Sequence, residues 1–60
     1  MKYNPLYHSN IIRNYRNKYL ETFGHKLTLT DIEIWEIYDE FAEHNDTDQV
    51  VLDELYSRTN

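Results

Sequence analysis

This chain of only 60 residues contains no cysteine, and this feature constrains its possible folds more than any other. A domain of this size buries only about 60% of the surface that its unfolded chain exposes, so small domains often depend on disulfides, metals or self-association. Without cysteine, disulfides and thiolate zinc sites are excluded, and the reducing cytoplasm is the expected location. Stability must then come from a packed core, for which the sequence offers two phenylalanines, one tryptophan and six tyrosines.

The clearest helix signal begins at Thr30, where Thr30 and Glu33 form the T-x-x-E pattern of a capping box. Leu29 and Ile34 have the spacing of a hydrophobic staple around the same start. These signals predict a helix over residues 31–44. Its apolar residues cover one broad side of a helical wheel: Ile34, Trp35, Ile37, Tyr38, Phe41 and Ala42.

A first helix is predicted over residues 10–23, after Ser9 or Asn10 as its N-cap. Gly24, the only glycine, lies where a left-handed C-terminal cap belongs. Residues 1–9 are expected to form an irregular N-terminal arm. The predicted helix has one apolar side, which is expected to be buried: Ile11, Ile12, Tyr15, Tyr19, Leu20 and Phe23.

A short third helix is predicted over residues 47–57. Asp46 and Gln49 repeat the capping spacing at its start, and its apolar side consists of Val51, Leu52, Leu55 and Tyr56. Because the preceding loop has only a few residues, the second and third helices should pack as an antiparallel hairpin. The sequence therefore predicts an all-α fold, a three-helix mini-bundle in a single domain spanning residues 1–60.

The charge of the chain is divided unevenly between its two parts. Residues 1–26 contain five basic residues and one acidic residue, whereas residues 27–60 contain one basic residue and ten acidic residues, for a net charge of −5. No apolar stretch has the length of a signal-peptide core or of a membrane span. The acidic balance also argues against an anionic membrane surface as a partner.

Metal binding and catalysis find little support in the pattern. Glu40 and His44 stand four residues apart on one predicted helix, but two ligands do not make a metal site. The acidic turn at residues 45–48 lacks the glycine and the distal glutamate of a calcium loop. Neither Ser9 nor Ser57 has the signature of a nucleophile beside a base. We expect no metal, no cofactor and no enzymatic activity.

The acidic face of the second helix is the preferred candidate site, with Glu36, Asp39, Glu40 and Glu43 as its carboxylates and Trp35 as an aromatic anchor. Like charges four residues apart cost a few tenths of a kcal/mol per pair, which a sequence selected for stability alone would avoid. The pattern favours a small acidic cytoplasmic protein–protein interaction module, an inhibitor or adaptor of the phage or mobile-element type, with a basic partner. Two plainer interpretations stay open: the acidic residues only solubilise the protein, or basic residues of the first helix neutralise them.

Two other function classes stay open as well. Arg13, Arg16 and Lys18, interleaved with Tyr15 and Tyr19, resemble the mixture of cations and stacking rings on nucleic-acid-binding surfaces. Against a nucleic-acid-associated regulator, the tyrosines fall on the apolar side, and phosphate would repel the acidic helices. The third class is a self-assembling structural subunit. Because so short a chain buries little core, we expect a homodimer or a folded complex with another protein.

Overall fold

The computed structural model describes residues 2–42 and 48–59, which form three α-helices: α1 (Pro5–Phe23), α2 (Asp31–Ala42) and α3 (Asp48–Thr59). The described ranges contain no β-strand. The predicted all-α three-helix mini-bundle is confirmed.

The N-terminal arm is irregular as predicted, but it is shorter than the sequence suggested, and α1 begins at Pro5 instead of near residue 10. Proline suits the first position of a helix because its ring fixes φ and its missing N–H needs no partner there. The residue before a proline is disfavoured in helical conformation, and Asn4 is accordingly extended. Its side-chain oxygen accepts a hydrogen bond from the backbone N–H of Leu6 at 3.0 Å, so Asn4 is the N-cap.

The C-terminal end of α1 is the one that the sequence predicted. Gly24 has a φ of 79°, and its N–H donates to the carbonyl oxygen of Leu20 at 2.9 Å. A side chain on Gly24 would meet no other atom, so the requirement for glycine comes from the left-handed backbone and not from crowding.

The predicted capping box at the start of α2 is also confirmed. The N–H of Glu33 donates to the hydroxyl oxygen of Thr30 at 3.3 Å, and the N–H of Thr30 donates to the Glu33 carboxylate at 3.0 Å. The Asp46 cap and the last predicted turn of the second helix fall on residues 43–47, outside the described residues.

The core is built from all three helices and the connection between α1 and α2. Leu27, in that connection, is buried. Tyr15 and Tyr19 are buried as their position on the apolar side of α1 predicted. The buried apolar side chains among the described residues are Ile12, Tyr15, Tyr19, Leu27, Ile34, Trp35, Ile37, Val51, Leu52 and Leu55.

Arg16 of α1 fixes the connection to α2 in place. Its guanidinium donates to the backbone carbonyl oxygens of Leu27 at 3.2 Å and of Leu29 at 2.9 Å, and it pairs with the Asp31 carboxylate at 2.6 Å. These bonds satisfy two carbonyl groups that no helix or strand would satisfy. One side chain thereby holds the start of α2 against the middle of α1.

Both ends of α3 are attached to α1 by polar contacts at the edge of the core. At its start, Asp48 accepts a hydrogen bond from the Tyr15 hydroxyl at 2.8 Å and pairs with Lys18. At its end, the hydroxyls of Tyr19 and Thr59 are hydrogen-bonded at 3.1 Å. These side-chain bonds orient α3 along α1.

Candidate interaction surface

The exposed side of α2 carries three carboxylates beside an open depression between α2 and the last turn of α3. Glu33, Glu36 and Glu40 line this depression, which has a volume of about 240 Å³. Its other lining residues are Leu29, Ile37 and Arg58. Arg58 is near the end of α3, and Leu29 comes just before α2. An antiparallel pair of helices brings these two positions together. Among the described residues, we define the acidic face as the carboxylates that line this depression, Glu33, Glu36 and Glu40, whereas the sequence predicted Glu36, Asp39, Glu40 and Glu43.

Glu33 has a structural task within the acidic face. Its carboxylate accepts hydrogen bonds from both the N–H and the hydroxyl of Thr30. The backbone hydrogen bond first, and the hydroxyl second, lower the pKa of Glu33 below its ordinary value. Glu33 is therefore ionised and held in place, and it adds negative charge at a fixed position.

Three other carboxylates of the helices are paired with basic residues. Asp31 pairs with Arg16, Asp48 with Lys18, and Glu54 with Arg58 at 2.7 Å. Glu36 and Glu40 are exposed, and neither makes an ion pair with another described residue. The basic residues of α1 thus neutralise acids at the starts of α2 and α3, and they form no ion pair with Glu36 or Glu40.

Arg58 lies at the rim of the depression, where it brings a positive charge near the acidic face. Its hydrogen bond to Glu54 is the main cause that raises the pKa of Arg58, and the negative charge of Glu40 adds to the rise. Glu54, four residues before it on α3, holds the guanidinium. The depression therefore already has one guanidinium beside its carboxylates.

The predicted site also included Asp39 and Glu43. Asp39 is half-buried and has an interaction within the protein, so it does not belong to the freely exposed carboxylates. Glu43 lies outside the described residues.

Trp35 does not lie on the exposed side of α2 as an aromatic anchor would. Only 4% of its surface is exposed. The His8 ring stacks on it with the centroids 3.9 Å apart and the planes at 10°, and the rings of Tyr3 and Tyr38 lie at 6.1 and 5.2 Å. Trp35 was predicted both on the apolar side of α2 and as an aromatic anchor for a partner. Its burial agrees with the first assignment, and the N-terminal segment covers the ring that an anchor would expose.

The three basic residues proposed for nucleic-acid binding also differ in whether they are paired within the fold. Arg16 and Lys18 are engaged by Asp31 and Asp48, so their charges are largely offset within the fold. Arg13 is exposed and makes no ion pair with a described residue. With Tyr15 and Tyr19 in the core, neither ring is available for stacking on bases.

Neither a metal centre nor a membrane span can be identified within residues 2–42 and 48–59. No group of three or more histidine and acidic side chains there is arranged to hold a metal ion. No helix there is both long and apolar enough to cross a bilayer. Of the two residues considered as metal ligands in the sequence, Glu40 and His44, the second lies outside the described part of the chain.

The polar contacts that organise this surface could not be identified from sequence patterns. Arg16 and Asp31 are 15 residues apart, and Lys18 and Asp48 are 30 apart. Pattern rules for charge pairs reach only three or four residues along a helix. The opposite charges of the two parts of the chain were the one available signal, and they gave no partner for any residue.

Comparison of the chain with protein-family models, with curated proteins and with solved structures gave no match.

Proposed function

We propose that this protein is a small protein–protein interaction module that places the acidic face of α2 against a basic surface of its partner, as an inhibitor or an adaptor. One observation supports the proposal above the others. Three ion pairs offset Asp31, Asp48 and Glu54, whereas Glu36 and Glu40 are exposed without such a pair among the described residues.

The geometry of the acidic face suits a cationic side chain more than a bulky ligand. The depression beside Glu36 and Glu40 is open to solvent, and its apolar lining is limited to Leu29 and Ile37. An arginine or lysine stem can lie along such apolar side chains while its charged group meets carboxylates. The expected partner therefore presents clustered arginines or lysines on a convex surface or a helix.

The proposal is tested by charge reversal with a charge-matched control. Glu36→Lys with Glu40→Lys removes the central carboxylates and changes the net charge by four. Glu21→Lys with Asp53→Lys changes it equally at exposed positions on α1 and α3. An immobilised oligolysine peptide is the probe, and the binding rate is measured at several salt concentrations. Neither variant removes a buried side chain, so both should retain their helix content.

We expect the first variant to lose binding and the second to keep most of it. The association rate of the wild type should fall as salt rises, because the Debye length shrinks from about 30 Å at 0.01 M to about 10 Å at 0.1 M. Equal loss in the two variants would mean that net charge alone drives binding, and it would contradict a localised acidic face.

A gel-shift assay with the wild type and with Arg13→Ala tests the nucleic-acid alternative. We expect no gel shift of a DNA or RNA duplex with the wild type. A shift that disappears in Arg13→Ala would instead support a nucleic-acid-associated regulator. Arg13 is the right residue for this test because Arg16→Ala would also release the connection between α1 and α2.

A further inference from the structure

The N-terminal segment and the first turn of α1 form a cover over Trp35, the only tryptophan of the chain. His8 stacks flat on the indole, and the Tyr3 ring lies 6.1 Å from both His8 and Trp35. Asn4 joins the two covering residues, since its backbone lies between them and its side chain caps α1. The burial of Trp35 thus depends on a short segment and not on helix packing alone.

A single hydrogen bond couples this cover to the protonation state of His8. The backbone N–H of Asn4 donates to Nδ1 of His8 at 2.9 Å. Nδ1 can accept this bond only when it carries no proton, so the observed geometry requires the neutral imidazole.

We infer that the segment is an acid-released cover: protonation of His8 breaks its bond with Asn4 and lifts His8 and Tyr3 from Trp35. A protonated Nδ1 would point its hydrogen at the N–H of Asn4, and two donors cannot remain 2.9 Å apart with both hydrogens between them. The imidazole must then rotate or leave its place, and the segment loses the bond between the Asn4 N–H and His8, while the carbonyl and side chain of Asn4 still cap α1.

Other groups around the cover oppose or assist this release. From α2, the face of Trp35 attracts a cation, and Glu36 lines a depression together with Lys2, Tyr3 and Trp35. Lys2, from the arm itself, repels a positive imidazole. Asp31 of α2 lies close to the Tyr3 hydroxyl, and after burial it is the next cause that raises the pKa of Tyr3. The stacked indole attracts a positive imidazole, but this attraction does not relieve the contact between two donors, so we expect release.

Release would change the acidic face by adding apolar surface to it. Ile32, on α2, is already 58% exposed and lines the same depression as Trp35 and Glu36. An uncovered Trp35 would join Ile32 into an apolar patch next to the acidic face. This consequence rests on the proposed function; the release itself does not.

The release is tested on the free protein through the accessibility of Trp35 to acrylamide, measured by fluorescence quenching at pH 8 and pH 5, the range in which histidine titrates. We expect quenching to increase severalfold at pH 5 with unchanged far-ultraviolet circular dichroism. Hydrogen exchange of the Asn4 amide should accelerate in parallel.

Three variants make the test specific. His8→Phe keeps a ring on Trp35 but cannot be protonated, and His8→Asn tests the same position without a ring; both should lose the pH dependence. His25→Phe, at another histidine, should keep it. Accessibility that is equal at the two pH values in the wild type, or a change that persists in His8→Phe, would overturn the inference. Because no partner is present, failure here leaves the oligolysine result unaffected.

Discussion

At the scale of single residues, Asp48 is the carboxylate that does most to join two helices. It accepts a hydrogen bond from the buried Tyr15 hydroxyl and pairs with Lys18. The hydrogen bond from Lys18, and after it the one from Tyr15, lower the pKa of Asp48. For Tyr15, burial first and the bond to Asp48 second raise the phenol pKa. Asp48 is therefore charged and Tyr15 neutral throughout the physiological range.

These pKa directions predict how stability depends on pH. Because the pKa of Asp48 is lower in the folded state, its contribution is present above the ordinary aspartate pKa and is lost as pH falls towards the folded value. We expect Asp48→Asn to lower the free energy of unfolding by about 1 kcal/mol at pH 6. The difference from the wild type should narrow below pH 4.

Denaturant unfolding at pH 6 and at pH 3 measures this difference. Asp53→Asn is the matched control, since Asp53 lies on the same helix and its partner is the exposed Gln49. A gap between the wild type and Asp48→Asn that is the same at both pH values would contradict a role for the ionised carboxylate.

At the scale of helices, local signals explain which boundaries could be predicted. Gly24 and the pair Thr30 and Glu33 act on backbone groups within four residues, so their spacing alone identifies them. The start of α1 was harder, because both Asn4–Pro5 and Ser9–Asn10 have suitable caps. The helix begins at the Asn4–Pro5 cap, and the stacking of His8 on Trp35 attaches its first turn to α2. Contacts between distant segments are not encoded in any local pattern.

The capping box gives a second prediction. Thr30→Ala removes the side chain that accepts from the Glu33 N–H, and it should lower the free energy of unfolding by about 0.5–2 kcal/mol. This is a large part of the stability that so small a domain can have. Thermal unfolding followed by circular dichroism measures the change. Thr28→Ala, at an exposed position in the same connection, should leave the midpoint nearly unchanged, and an equal effect of both would rule out capping as the cause.

The candidate site was predicted only in part, for a related reason. A helical wheel places Glu36 and Glu40 away from the apolar side, and both are exposed. The same wheel put Trp35 at an edge, where exposure depends on whether another segment covers it. Tyr3 and His8 do so, from a part of the chain that was expected to be irregular. Residues at the edge of an apolar side are therefore the least predictable from sequence.

At the scale of the whole molecule, part of the charge contrast between the two parts of the chain is used within the fold. Arg16 and Lys18 from the basic part meet Asp31 and Asp48 from the acidic part, and these pairs fix the arrangement of the three helices. The same pairing leaves a negative surface on α2, with Arg58 near its edge. The segregated charges thus form ion pairs within the fold, and the exposed carboxylates of α2 are left for a partner.

Apolar side chains at the start of α1 are also exposed, and they predict self-association of the protein. Leu6 is 86% exposed and Tyr7 75% exposed, although both lie in the first turn of α1. Burying an apolar side chain of this size contributes about 1.5–3 kcal/mol, and in a symmetric dimer each side chain is buried twice. Because association itself costs about 4–15 kcal/mol, little of this gain remains, and the resulting dimer should be weak.

Sedimentation or light scattering over a concentration series measures this dimer. We expect Leu6→Ser with Tyr7→Ser to abolish it without lowering the thermal midpoint, since neither side chain belongs to the core. Val50→Ser, at a less exposed apolar position on α3, is the control and should leave the dimer intact. If helix α1 of one copy meets α2 of the other, Ile32→Ser should weaken the dimer as well. A wild-type protein that remains monomeric at high micromolar concentration would contradict the prediction, and the exposed turn would then have no partner in a second copy.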